Sequence, residues 1–163
     1  MGTRPVSFSC SEVLPASPVQ ISEQIARVEA WCEFRGYGPI PGIASATYEV
    51  RTPDVKGSRI RVLNHDGSHH LEEITEWVPN ERVVLQLLEF SRPLSSLACR
   101  FVEAWEFTPA PDGTRATRSF SLYPRNALMR VPLWVISRLL RRAVSEHLRQ
   151  MKSSPAPEPS ALA

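Results

Sequence analysis

The chain of 163 residues contains only three cysteines. Cys10, Cys32 and Cys99 are far apart and show no CxxC spacing, so neither a disulfide framework nor a zinc ribbon is available to hold a small core together. They read as small buried apolar residues in a reducing compartment. No apolar run is long enough to cross a bilayer. The best stretch, Leu128 to Val144, is cut by Arg130, Arg138, Arg141 and Arg142, whereas a span needs about 20 mostly apolar residues. The N-terminus has no charged region followed by an apolar one, and Val6 occupies the position where a myristoylation signal requires Ser or Thr. The cytoplasm is therefore the expected location, and no integral membrane association is expected. Net charge is small as well: 19 basic against 17 acidic side chains produce no field that marks nucleic acid as the partner. No GxSxG, phosphate loop or dinucleotide fingerprint occurs.

What is present is an ordinary globular composition, 42% hydrophobic and 22% charged, enough for one core. The expected organisation is a single domain over residues 1–152, followed by a disordered Pro/Ser/Ala tail over 153–163. Fifteen prolines fall mostly between periodic segments and act as punctuation. Val6, Phe8 and Cys10 alternate with serines, predicting a half-buried strand over Val6 to Leu14. Ser17 then caps a helix that starts at Pro18 and carries Ile21, Ile25, Val28 and Trp31 at helical spacing.

A glycine- and proline-rich loop precedes six strand-like runs: Ile43 to Arg51, Ser58 to Asn64, Ser68 to Val78, Arg82 to Phe90, Cys99 to Pro109 and Thr114 to Tyr123. Short turns at Asp66-Gly67, Pro79-Asn80 and Asp112-Gly113 make them an antiparallel meander. The last element, Val131 to Met151, is an amphipathic helix with Leu133, Ile136, Leu140, Val144 and Met151 on one stripe. The arginines on its other face read as a solvated surface, with room for weak contact with an anionic membrane.

The element order and several local signatures resemble the START-like (SRPBCC, helix-grip, Bet v 1-like) superfamily. Within it, the chain is similar to the polyketide cyclase/dehydrase and lipid-transport group. The resemblance rests on LPASPVQI in the opening strand and helix, EEITEWVPNERVVLQ at 72–86, EAWEFTPAPDGTRATRSFSL at 103–122 and the closing LWVISRLLRRAVSEHLRQM. It implies an α+β fold in which a strongly curved antiparallel sheet of about seven strands grips a long C-terminal helix. Short helices follow the first strand, and an apolar cavity lies between sheet and helix.

Strand parity then selects the residues facing that cavity. A two-residue turn at Asp66-Gly67 pairs Leu63 with His70 and Arg61 with Glu72, placing Ile60, Val62, His69, Leu71, Glu73, Thr75 and Trp77 inside. Arg59, Arg61, His65, His70, Glu72 and Glu76 then form an outer charge ladder. The next hairpin sets Phe101, Glu103, Trp105 and Phe107 against Ala116, Arg118, Phe120 and Leu122, with Trp105 directly opposite Arg118. Val83, Leu85 and Leu87 look inward, carrying Glu89 with them. Charges on such a face must be paired, hydrated or shifted in pKa. Glu103 and Arg118 therefore read either as a ligand-orienting pair or as a structural ion pair.

The expected cavity lining is Tyr48, Val62, Glu73, Trp77, Leu87, Glu103, Trp105, Arg118, Phe120, Ile136 and Leu140. The expected activity is to bind a hydrophobic small molecule, a lipid, polyketide or similar, as carrier or sensor. One alternative is a cofactor-independent, aromatase-like polyketide cyclase/dehydratase with Glu73 or Glu103 as base and Arg118 holding the developing oxyanion. Another is a chaperone-stimulator-type interaction module. No cofactor is called for. The HDGSHH cluster does not make a metal site, because its histidines divide between two faces, and His147 reads as a satisfied core residue. The oligomeric state stays open.

Overall fold

The structure is a computed structural model and describes residues 2–154; beyond Ser154 the expected tail lies outside the described residues. Strand β1 (Val6–Leu14) is followed by α1 (Pro18–Ala26), a 3-10 turn (Val28–Glu33) and a two-stranded ribbon, β2 (Gly36–Tyr37) and β3 (Ile40–Pro41). Then come β4 (Ile43–Val50), β5 (Arg59–Asn64), β6 (His69–Val78) and β7 (Arg82–Leu88). A single helical turn, α2 (Leu94–Leu97), leads to β8 (Ala98–Ala110) and β9 (Gly113–Pro124), and a 3-10 turn (Ala127–Met129) precedes α3 (Arg130–Ser153). The main sheet has seven antiparallel strands in the order β1-β9-β8-β7-β6-β5-β4, so the first strand closes against the last.

Local chemistry explains most boundaries. Ser17 and Gln20 form a reciprocal capping box, and Pro18 starts α1 where its missing N–H costs nothing. The helix expected to carry Val28 and Trp31 as well instead breaks at Arg27, which is extended. The last carbonyls of α1 are claimed by side chains: Trp31 Nε1 donates to Ile25 O (2.8 Å) and the Tyr48 hydroxyl donates to Ala26 O (2.5 Å). Pro132 is tolerated in the first turn of α3 because that N–H has no helical acceptor. At Gly113 a Cβ would stand 2.0 Å from Leu14 O, so only glycine lets β9 begin against the end of β1.

Two halves of α3 do different work. Ala143, Val144, Leu148 and Met151 are buried where the helix packs on β1, and Arg141 O accepts from Cys10 Sγ. Ile136, Leu139 and Leu140, one to two turns earlier, are only partly buried and stand over an opening in the core. Cys10 is buried as expected, but Cys32 and Cys99 are exposed; each lies at a surface position of a segment whose partner face holds the core.

The register of β5 and β6 differs by one residue from the expected pairing. Asn64 pairs with Ser68 across a three-residue loop, His65, Asp66 and Gly67. Gly67 adopts φ +85°, and Asp66 Oδ1 accepts from the Ser68 N–H and hydroxyl. This loop inserts the extra residue that a left-handed glycine permits. Val62 therefore pairs with His70, Ile60 with Glu72 and Arg59 with Glu73. A one-residue slip exchanges the faces of a strand: His70, Glu72 and Ile74 turn inward, while His69 and Glu73 turn outward. A bulge between Ile74 and Glu76 restores the original parity, so Trp77 packs against the core as expected. Glu89, at φ +51°, swings out to Arg59 and Arg61, and Phe90 takes the inner position.

Candidate functional site

Between the concave face of the sheet and the first half of α3 lies a cavity of about 380 Å³. This is within the range of small-molecule sites, roughly 300–1,000 Å³. Leu87, Phe90, Phe101, Phe120, Ile136 and Leu140 supply its apolar wall. Asp66, His69 and Arg92, all exposed, mark its outer end beside the β2–β3 ribbon. A smaller chamber of about 80 Å³ continues inward past Trp31, Trp105 and Met151. Phe34, Ile43, Glu72, Glu103 and Arg118 border both spaces, so the polar groups sit at the waist of a mostly apolar hollow.

The long β8–β9 hairpin, in continuous register from Arg100 to Ala110, positions that waist. Trp105 pairs with Arg118 and Glu103 with Phe120, the register expected from alternation. Arg118 donates from Nε (2.7 Å) and Nη2 (2.5 Å) to Glu103 Oε1. Its guanidinium carbon lies 4.4 Å from the Trp105 ring centre, and Nη1 stands 2.9 Å from His147 Nδ1. Arginine offers only donors, so His147 must accept through Nδ1 and is neutral. Burial, reinforced by the charge on Arg118, pushes the His147 pKa down to about 3. The His147 ring also meets Phe34 edge-on at 5.7 Å.

Glu103 is 6% exposed, and burial raises its pKa; Arg118 opposes that rise and Glu72 adds to it. Glu72, also 6% exposed, contacts His70 Nε2 through Oε1 at 2.9 Å. Two carboxylates and one guanidinium thus face the hollow, and each of the three nitrogens of Arg118 already has a protein partner or a ring against it.

Of the expected lining, Leu87, Glu103, Trp105, Arg118, Phe120, Ile136 and Leu140 border the hollow. Tyr48, Val62 and Trp77 do not: they belong to the packed core, Tyr48 held by its hydrogen bond to Ala26 O at the end of α1. Glu73 is on the opposite face, 4.0 Å from Arg59, and cannot act in the cavity. Glu72, His70 and His147 are the site residues that parity did not select. A three-residue reading of the His65-Asp66-Gly67 loop would have found the first two, and the position of His147 beside Val144 and Leu148 hints at the third. Among the described residues no group of three or more His, Cys, Asp or Glu side chains could hold a metal ion, and no helix is long and apolar enough to cross a membrane.

Residues 5–154 match the family described as "Polyketide cyclase / dehydrase and lipid transport". The chain belongs to this family. Among curated proteins no sequence matches. Solved structures share the family's helix-grip, Bet v 1-like fold. The di-domain aromatase/cyclase StfQ of the steffimycin biosynthetic pathway superposes with a TM-score of 0.68 at 16% identity, over 92% of this chain and 50% of that one. TTHA0849 from Thermus thermophilus gives 0.67 at 17% identity, over 90% and 94%. The ginseng major latex-like protein 151 from Panax ginseng gives 0.65 at 14% identity, over 93% and 100%. At these identities the likeness concerns the fold, one of the hydrophobic-ligand-binding type.

Proposed function

We propose that this member of the polyketide cyclase/dehydrase and lipid-transport family is a cytoplasmic carrier or sensor of a hydrophobic small molecule. The observation that carries the reading is the 380 Å³ apolar cavity ending at a compact polar waist. An extended apolar ligand would fill the outer chamber, with a hydroxyl or keto group directed at Glu72 and Arg118. Since Arg118 is already committed to Glu103 and His147, and two carboxylates border the space, a neutral polar end suits the site better than a carboxylate.

Native mass spectrometry of freshly purified protein, followed by titration with an apolar fluorescent probe, tests this. Leu87→Trp should fill the chamber and abolish probe uptake while the fold persists. Full uptake by that variant, or none by the wild type, would refute the assignment. The pairing of Glu72 with His70 favours a second reading, a cofactor-independent cyclase or dehydratase in which this couple moves a proton next to a ligand carbonyl. Under it, Glu72→Gln should lose turnover of a candidate polyketone yet still take up the probe, with altered affinity. The open cavity argues against the interaction-module alternative, which needs no hollow.

A further inference from the structure

Between Gly113 and Ser145 the chain has seven arginines and no acidic residue. Arg118 belongs to the cavity waist, and Arg115 lies at the start of β9. The other five, Arg125, Arg130, Arg138, Arg141 and Arg142, lie on the β9–α3 connection and the first half of α3. Among the described residues none of these five forms an ion pair, whereas Arg59, Arg61 and Arg82 on the outer sheet are each paired with glutamates. The same region holds the four most exposed large apolar side chains of the described structure: Leu128 at 79%, Val131 at 71%, Trp134 at 54% and Val135 at 48%. On a helix advancing about 100° per residue, Arg130, Arg141, Trp134, Arg138, Val131, Arg142 and Val135 fall in one arc of roughly 140°. That arc faces away from buried Leu133.

Arg130 donates to Arg4 O, Arg142 to the Tyr37 hydroxyl, and Arg138 lies over the Trp134 ring, but none has a carboxylate partner among the described residues. An arc that mixes such arginines with exposed tryptophan and valine is more than the solvated face its charge spacing suggests. A second copy docked through this face would set arginine against arginine, with no carboxylate to separate them. Nucleic acid would satisfy the arginines but leave the apolar side chains in water. An anionic bilayer surface answers both, since its phosphates take the guanidinium groups and its headgroup boundary takes tryptophan and aliphatic side chains.

We propose that the first half of α3, together with Leu128, docks the protein peripherally on anionic lipid bilayers. Trp134 and Val131 enter the headgroup boundary, and Arg130, Arg138 and Arg141 meet lipid phosphates. This holds whatever occupies the cavity. It also sets the row Val131, Val135 and Leu139, spaced i, i+4, between the lipid surface and the cavity that Leu139 lines.

Cosedimentation of the intact protein with vesicles of phosphatidylcholine, alone or mixed with phosphatidylglycerol, tests the proposal. Binding should require phosphatidylglycerol and weaken as salt rises. Arg130→Gln and Arg138→Gln should each weaken it about fivefold, and Trp134→Ser about tenfold. Trp134 and Arg138 are exposed and Arg130 is half-buried, and circular dichroism verifies that the variants fold. Absence of binding to the mixed vesicles would overturn the proposal. So would unchanged binding by Trp134→Ser, tighter binding to duplex DNA than to vesicles, or a dimer that Val131→Ser dissolves.

Discussion

Removing Arg118 should destabilise the protein increasingly as pH rises, and removing Glu103 should not show that trend. Arg118 and Glu103 are 7% and 6% exposed and joined by two short contacts. Breaking a buried pair from one side costs about 3–5 kcal/mol, because a charge is left without its partner. This is a large part of a typical folding free energy of about 5–15 kcal/mol. The two sides differ in their escape. In Arg118→Met, the Glu103 carboxylate, already pushed upward by burial and by Glu72, loses its counterweight and can shed its charge by taking a proton. Its folded pKa then lies far above the unfolded value, so that contribution to stability is present at low pH and lost as pH rises through the folded pKa. The deficit of Arg118→Met should therefore approach its full size at about pH 8 and shrink toward about pH 5. In Glu103→Gln the guanidinium keeps its charge throughout, and because the carboxyl removed had a raised pKa, its deficit should not grow as pH rises, the opposite trend to Arg118→Met. Urea unfolding at both pH values, read as midpoint shifts at constant slope, measures this. Glu103→Leu with Arg118→Met should cost well below the sum of the single changes. A loss below about 1 kcal/mol for Arg118→Met at the higher pH, or an equal loss at both, would refute this account of the waist.

His147 gives a second titration of opposite sign. Its folded pKa is lowered to about 3 from 6.5, so the unfolded chain takes the proton first, and stability falls as pH drops between those values, by at most about 1.4 kcal/mol per unit. His147→Gln should remove that slope. Because Glu103 titrates in both proteins, the difference between their stability–pH profiles isolates the histidine, and identical profiles would show that it is not held neutral. On the sheet, Glu73→Gln should leave probe uptake untouched and stability within about 0.5 kcal/mol, as befits an exposed pair. Glu72→Gln should change probe affinity, and an inverted result in the same titration would restore the two-residue turn.

The β8–β9 hairpin was legible from residue order because nothing interrupts its alternation for more than ten residues on either strand. Trp105, Arg118 and Glu103 fell on one face by parity alone. Strand β6 was not legible in that way. Its parity depends on whether the Asp66-Gly67 turn holds two residues or three and on a bulge at Thr75, and each changes the face of every residue beyond it. Glu89 failed for a similar local reason, a left-handed backbone at the end of β7.

Sequence by itself determined the main element order, the capping of α1 and the apolar stripe of α3, because periodicity and capping are local properties, while the helix-grip architecture followed from the family resemblance. Only the tertiary structure decided which carboxylates face the hollow, that His147 closes the Glu103–Arg118 pair, and that Tyr48 and Trp77 pack in the core rather than line the hollow. Those outcomes depend on register and on which element covers which part of the sheet, and both are set by contacts between residues distant in the chain.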